Sequence, residues 1–309
     1  MKVGFIGLGT MGRGMAGRLQ AAGHDMVVTD LHAAAAETFL AAGAGWRDSP
    51  REVAEASDVV FTSLPTPADV LAVASGPDGL LAGFASGAAW FDLSTSSLAA
   101  IRTLHADCAD KGVAFLDAPV SGGPHGAASG ALSIWVGGDP DVFEAHLPVL
   151  SAMSDRPQRI GDVGAGTVAK LVHNMASSAI NQVVAEVMTM GVKAGLEPLA
   201  LYEAMRTGAV GRMRSFDGIS KRFLQGRLDP PSFQLRLAHK DARLAVELAR
   251  ELEVPTRLCD LVYDEITEAM NRGWGGRDAQ SALLLQQERA GVDPFDADAD
   301  DVDAVVSRT

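Results

Sequence analysis

The hexapeptide Gly7-Leu8-Gly9-Thr10-Met11-Gly12 follows an apolar run, Val3-Gly4-Phe5-Ile6, and precedes a helical stretch. Its glycine spacing suits phosphate chemistry. Gly7 permits a turn too tight for a side chain, Gly9 lets a pyrophosphate approach the backbone, and Gly12 lets the following helix lie close to the strand. Free N–H groups at the start of that helix, with the positive end of its dipole, then hold the phosphates. A second apolar run, Met26-Val27-Val28, ends at Asp30. An acid placed roughly 20 residues past the glycines bonds the adenosine ribose hydroxyls and repels a 2′-phosphate. Leu31 and His32 follow it, and neither is a strong phosphate ligand. The unit reads as a dinucleotide site that favours NAD, with NADP as the alternative through Arg13 in the loop.

A second constellation is Lys170, Asn174, Ser177 and Asn181, at successive spacings of four, three and four. Residues so spaced line one face of a helix. The surrounding segment, 169–194, reads as one long helix that is apolar over much of its circumference, the usual mark of a buried helix. An unsatisfied polar group in such a place costs roughly 1–3 kcal/mol, so the seam must face partners, water or a ligand. A snorkelling lysine and a satisfied core amide would explain it on an anonymous helix. Here it follows a dinucleotide unit and a glycine-rich turn, Gly164-Ala165-Gly166-Thr167, and that context favours a ligand.

The elements that must position these groups alternate through the first half of the chain. After Asp30 a helix is expected at 33–42. Strands are expected at Val59-Val60-Phe61-Thr62-Ser63-Leu64, Ala89-Trp90-Phe91-Asp92-Leu93, Val113-Ala114-Phe115-Leu116-Asp117-Ala118 and Leu132-Ser133-Ile134-Trp135-Val136. Strand alternating with helix predicts an α/β fold: a Rossmann-like, doubly wound, mostly parallel sheet covered on both faces. Ligands to such a sheet bind at the carboxyl ends of its strands, where Leu64-Pro65, Ser94-Thr95 and Ser121-Gly122-Gly123 fall. From Val168 to about Ala290 only helical patterns appear, punctuated by Pro198, Pro230-Pro231, Pro255 and Gly273. The expected organisation is a dinucleotide-binding domain at 1–161, an all-helical C-terminal domain for substrate and oligomerisation at 162–292, and an acidic, mobile tail at 293–309.

Bulk properties exclude several classes. A formal net charge of −13 repels phosphate polymers and anionic lipid, so neither nucleic acid nor a membrane surface is an expected partner. The tail contributes Asp293, Asp296, Asp298, Asp300, Asp301 and Asp303. A calcium loop there would need its turn glycine where Asp301 stands and its closing acid where Ser307 stands, so no metal is expected. Cys108 and Cys259 are far apart and form no paired motif, which suits buried thiols in a reducing cytosol. With no signal peptide ahead of the first strand and no apolar run near the ~20 residues that span a bilayer, a cytoplasmic protein is expected. The long apolar helix also asks for cover from a second subunit, dimer or tetramer.

Four motifs in order carry a resemblance that covers nearly the whole chain. They are the glycine hexapeptide; Asp117-Ala118-Pro119-Val120-Ser121-Gly122-Gly123; Gly164-Ala165-Gly166-Thr167-Val168-Ala169-Lys170-Leu171-Val172-His173-Asn174; and His239-Lys240-Asp241. The chain resembles the β-hydroxyacid dehydrogenases, the family of 3-hydroxyisobutyrate dehydrogenase and tartronate semialdehyde reductase. The resemblance implies NAD(P)-dependent, reversible oxidation of a small 3-hydroxy acid, in a cleft between a Rossmann-like and a helical domain. It implies that Lys170 is the general acid/base and Asn174 its support, and that Ser121, Gly122 and Gly123 bind the substrate carboxylate. It assigns Gly7, Leu8, Gly9, Thr10, Met11, Gly12, Asp30, Leu64, Pro65, Thr95 and Lys240 to the cofactor. Consecutive glycines agree with an anion site, since they expose backbone N–H groups.

The chain departs from the family at Arg212 and Arg214, either of which would favour an anionic or polyhydroxylated substrate if it reached the pocket, and at His125 beside the Ser-Gly-Gly loop. The competing expectations are an imine reductase on the same scaffold, a 6-phosphogluconate-type decarboxylating dehydrogenase, and a catalytically silent NAD-binding interaction protein. Retention of Lys170 counts against the imine reductase and the silent protein, and the short helical domain counts against the decarboxylating enzyme.

Overall fold

The computed structural model describes residues 1–212, 217–236, 238–239, 242, 246, 249–250 and 253–307, with the side chains of 177–179, 181–182, 185, 198–199, 217–218 and 305 outside that description. The chain forms two compact units, Met1–Ala176 and Ser177–Thr309. The helix Ala165–Lys193 begins in the first and continues into the second.

The first unit is built on one sheet. Its strands are β1 (Lys2–Ile6), β2 (Asp25–Thr29), β3 (Gly45–Trp46), β4 (Val59–Thr62), β5 (Ala89–Asp92), β6 (Ala114–Asp117), β7 (Val120–Ser121), β8 (Ser133–Gly137) and β9 (Arg156–Gly161). They lie in the order β3-β2-β1-β4-β5-β6-β8-β7, with β9 paired to β8. The run from β3 to β6 is parallel, and β8 is antiparallel to both β6 and β7. This is the doubly wound Rossmann-like sheet that the alternation of elements requires.

Both faces of the sheet are covered, and successive residues divide between two cores. Val3, Phe5, Val59, Phe61 and Phe91 enter one core, while Ile6, Val60 and Trp90 enter the other. Phe5, Phe61 and Phe91 stand in register on β1, β4 and β5 and stack at centroid separations of 6.4 and 5.5 Å. Such a ladder locks the register of the central strands, because a slip by one residue would send each ring to the opposite face. Chain connections leave β1 in opposite directions, toward β2 on one side and β4 on the other. That reversal opens a crevice at the carboxyl ends of β1 and β4, where ligands of such sheets bind.

Several elements differ from the sequence expectation. The helix expected at 33–42 is a 3-10 turn, Ala33–Ala36, followed by an α-helix, Glu37–Ala41. β7 and β9 were not anticipated: β7 is two residues long beside Pro119, and β9 is a polar strand with no buried residue and no apolar run to signal it. The strand expected through Leu64 stops at Thr62, because the Leu64 N–H turns to donate to Ser94 Oγ.

The second unit is helical among its described residues, apart from an isolated bridge between Gln234 and Asp278, and holds a small core at Leu235, Ala269 and Leu285. The acidic C-terminal segment, expected to be a mobile tail, instead packs. Phe295 meets Phe223 edge-on, the Ala297 N–H donates to the Leu224 carbonyl, and Val302 is buried on the helix Ala299–Ser307. Val302 supplies burial, and Phe295, although exposed, a ring contact, that the charge pattern concealed. Among the described residues no helix is long and apolar enough to cross a membrane.

Candidate active site

The glycine loop joins β1 to the helix Gly12–Ala21, and each glycine is required for a different reason. Gly7 holds φ at +94°, and a Cβ there would lie 2.3 Å from the Ser63 carbonyl oxygen. A Cβ on Gly12 would lie 1.8 Å from the Gly7 carbonyl oxygen. These two glycines are demanded by the protein itself. Gly9 is not: a Cβ built on it meets nothing within 4 Å, and its φ is outside the left-handed region. Space left open above a glycine is what a group approaching the backbone needs. No side chain caps the helix that follows, and its first turn carries no acid, so nothing there opposes an anion at the positive end of the helix dipole. These features fit a dinucleotide pyrophosphate.

Asp30 stands just past the end of β2. Its Oδ2 accepts from the Leu8 N–H at 2.7 Å and its Oδ1 from the His32 N–H at 2.9 Å. The carboxylate therefore anchors the glycine loop, and each oxygen keeps a lone pair for a ribose hydroxyl. Leu31 beside it is 98% exposed, which leaves the position open to an engineered side chain.

A cavity of about 280 Å³ opens at the carboxyl ends of the strands, wholly within the first unit. Met11 of the glycine loop forms one wall, and Ser63, Leu64 and Pro65 after β4 form the next. Leu93, Ser94 and Thr95 follow β5, and Val120, Ser121, Gly122 and Gly123 close the far side together with Lys170. The sheet thus gathers Met11, Leu64, Pro65, Thr95, Ser121, Gly122, Gly123 and Lys170, which the sequence distributes over about half the chain. Gly122 and Gly123 both have positive φ, +131° and +64°, a conformation that L side chains rarely adopt. Consecutive glycines can expose their backbone N–H groups to an anion.

Two buried carboxyls hold these walls. Asp92 and Asp117 stand in register at the ends of β5 and β6. Trp90 Nε1–H donates to Thr62 Oγ1 at 3.0 Å, and Thr62 Oγ1–H donates to Asp92 Oδ1 at 2.8 Å. The Ser94 N–H also donates to Asp92 Oδ1, and Ser94 Oγ accepts from the Leu64 N–H at 2.9 Å. One chain of hydrogen bonds therefore ties the 64–65 and 94–95 loops to the sheet. Asp92 Oδ2 is buried without a partner, and burial raises the pKa of the group against the pull of its bonds from Ser94 and Thr62. Asp117 accepts from the Gly164 and Thr167 N–H groups, each at 2.6 Å, at the start of the helix that carries Lys170.

Lys170 is half-buried, and desolvation lowers its pKa from the ordinary 10.5. Asn174 does not line the cavity: it is exposed, with Oδ1 3.3 Å from His173 Nδ1, and His173 packs on the Trp135 ring. The remaining loop residues, Gly7, Leu8, Gly9, Thr10 and Gly12, lie next to the Met11 wall. His125 is exposed and outside the cavity lining. Arg212, at the end of the helix Ala209–Arg212, donates to the Thr207 carbonyl at the end of the preceding helix, Pro198–Thr207. Arg214, Lys240, and the side chains of Ser177 and Asn181 lie outside the described residues.

Sequence reasoning gave no role to Ser63, Leu93, Val120 or Thr62. Their only signal is position at or just past a strand end, where side chains turn toward a crevice.

Residues 2–164 match the family model for the NAD binding domain of 6-phosphogluconate dehydrogenase, and residues 164–286 match that for NAD-binding of NADP-dependent 3-hydroxyisobutyrate dehydrogenase. The chain is 34% identical over 292 residues to 2-(hydroxymethyl)glutarate dehydrogenase of Eubacterium barkeri, covering 94% of this chain and 97% of that one. It is 35% identical over 282 residues to the NAD-dependent L-serine dehydrogenase of Pseudomonas aeruginosa, covering 90% and 95%. The structure of Mycobacterium tuberculosis 3-hydroxyisobutyrate dehydrogenase with L-serine superposes with a TM-score of 0.63 at 29% identity, covering 93% and 99%. Sheet order, glycine loop and matched domains together define an NAD(P)-dependent oxidoreductase. The similarity over nearly full length goes further: the chain belongs to the β-hydroxyacid dehydrogenase family, whose members oxidise small hydroxy acids by hydride transfer.

Proposed function

We propose that the protein interconverts a small 3-hydroxy acid and its aldehyde or ketone, with Lys170 as the general acid/base. The observation that carries this reading is that Lys170, partly desolvated, lines the same cavity as the Ser121-Gly122-Gly123 nest and the Thr95 and Leu64-Pro65 loops. Bound NAD(P) supplies the hydride acceptor. Ser121 and the backbone N–H groups of Gly122 and Gly123 hold the substrate carboxylate, which places the hydroxyl toward the lysine. In oxidation the neutral Lys170 amine takes the hydroxyl proton at Nζ, and in reduction the ammonium returns it. Asn174, one turn along the helix, restrains the lysine through the helix face it shares rather than by touching substrate. Lys240 assists at the cofactor.

The test is formation of NADH or NADPH with a panel of L-serine, 3-hydroxyisobutyrate, glycerate, threonate, sulfonated analogues and phenylserine. Turnover of none of these, alongside reduction of cyclic imines by NADPH, would move the protein to the imine reductase reading. Binding of NADH with neither activity would make it a silent interaction protein.

In this reading the domain at 1–161 holds the cofactor and the substrate carboxylate, and the domain at 162–292 supplies Lys170 and the oligomer contacts. The helix residues Leu171, Val172 and Met175 are exposed at 43, 63 and 70%. Their exposure supports a homo-oligomer in which a second subunit covers them, in a protein that this reading places in the cytoplasm, and light scattering on the purified protein should give a mass above that of one chain.

Asp30 favours NAD in this reading. Asp30→Ala combined with Leu31→Arg should shift the kcat/KM ratio toward NADP by about tenfold or more, as carboxylate repulsion of the 2′-phosphate becomes attraction. Because Asp30 also anchors Leu8, affinity for both dinucleotides should fall. An unchanged ratio in steady-state kinetics rejects the role of Asp30 in choosing the cofactor.

A further inference from the structure

Asp117 ends β6, and its carboxylate spans two backbone groups of a distant segment. Oδ1 accepts from the Gly164 N–H and Oδ2 from the Thr167 N–H, both at 2.6 Å. Glycines clear its path. A Cβ on Gly137 would lie 2.4 Å from Asp117 Oδ1, and one on Gly166 would lie 2.3 Å from the Trp135 carbonyl oxygen and 2.8 Å from that of Asp117. The first turn of the helix is thus pressed onto the ends of β6 and β8 and clamped there. Three residues past Thr167, roughly 4.5 Å along the helix axis, comes Lys170. Four residues past Asp117, on the same stretch of chain, comes Ser121.

A helix of 29 residues does not need one cap in order to exist. Its first turn has other backbone bonds, Ala165 N–H to Asp162 O and Val168 N–H to Gly164 O. What the clamp adds is a fixed height and rotation for the helix start. We propose that Asp117 is a positioning residue that sets Lys170 against the Ser121-Gly122-Gly123 loop, so that amine and carboxylate nest keep one spacing. The inference rests on the reading of Lys170 as the general base.

The electrostatics are compatible with a clamp. Negative charge is favoured at a helix N-terminus. Burial pushes the pKa of Asp117 up, and the bonds from Gly164 and Thr167 pull it back. The buried carboxyl facing it from β5 is Asp92, whose pKa burial also raises, and Lys170 on the clamped helix has its own lowered by burial.

Asp117→Asn keeps the shape but points an amide N–H₂ at one of two N–H donors. Activity is expressed per NADH-binding site, measured by fluorescence titration, so that unfolded protein drops out. The expected result is a fall of about 10- to 100-fold in kcat/KM for the hydroxy acid, as a misplacement near 1 Å produces. NADH affinity should stay within about twofold. The rising limb of the oxidation pH profile should move to higher pH, because a displaced Lys170 is better solvated. Loss of thermal stability with unchanged kcat/KM and an unmoved limb per site would overturn the proposal. Lys170→Ala is measured in parallel. If it stays active, the general-base reading fails; if it is inactive while Asp117→Asn behaves as wild type, only the positioning role fails. Should Asp117→Asn yield no folded protein, Gly166→Ala replaces it. Its Cβ must push the first turn off the strand ends without changing charge, and the same limb shift is expected, with an unmoved limb overturning the proposal.

Discussion

Lys170→Ala lowers turnover by about 10²-fold or more, the usual contribution of a general acid/base, and leaves NADH affinity essentially unchanged. The split follows from where the side chain sits. Lys170 lines the cavity together with Ser121, Gly122 and Gly123, while in the proposed reading the phosphates bind the glycine loop at the end of β1. An amine held at its ordinary pKa is nearly all protonated at neutral pH and cannot accept a proton. Desolvation lowers that pKa, because burial disfavours the charged form. The base is the neutral amine, so wild-type oxidation should rise with pH through a value below 10.5. Reduction needs the ammonium and should fall through the same value. Steady-state pH profiles in both directions check the pair, and identical profiles for wild type and Lys170→Ala would remove the lysine from proton transfer.

The same burial has a thermodynamic sign. A lysine whose pKa is lower folded than unfolded binds fewer protons in the folded state, so its burial costs stability below the folded pKa and the cost vanishes above the unfolded one. Lys170→Ala should therefore melt no lower than wild type near neutral pH, which thermal denaturation can read. An inactive variant that is not destabilised is the signature of a functional rather than a structural lysine.

Gly9→Ala should lose NADH affinity by about 10- to 100-fold, equivalent to one charge-assisted hydrogen bond of roughly 1.5–3 kcal/mol. The fold should remain intact. An added Cβ meets no protein atom within 4 Å and the backbone conformation is open to L residues, so the change should leave thermal stability level or slightly raised. Gly12→Ala is the contrast: its Cβ would sit 1.8 Å from the Gly7 carbonyl oxygen, so both the loop and the binding should suffer. Isothermal titration with NADH together with melting curves distinguishes the two. Wild-type NADH binding by Gly9→Ala would mean that no phosphate approaches the backbone there.

Much of the fold was legible because its causes are local. The glycine loop, Asp30 and the alternating apolar runs each state a requirement over a few residues: a tight turn, a close approach, a buried strand. The helix through Lys170 was legible from the spacing of its polar residues on an apolar background. Short or polar elements were not legible. β7 has two residues and β9 lacks apolar alternation, so neither carries a pattern of its own, and both exist because β8 offers hydrogen-bonding edges. The docked acidic terminus was hidden in the same way, since Phe295 acts only once Phe223 is brought to it.

The sequence alone determined the class of ligand and the class of sheet, because phosphate binding and strand burial are written in contiguous residues. The tertiary structure decided which separated residues share one cavity. It joined Lys170 to Ser121 and Thr95, left Asn174 and His125 outside, and turned Arg212 back onto the end of the preceding helix. It also assigned Asp92 and Asp117, whose types fit many places in a chain, to holding opposite walls of that cavity. The physical reason is distance: a hydrogen bond across 47 residues, such as Asp117 to Gly164, exists only after the sheet has brought the two ends of the loop together.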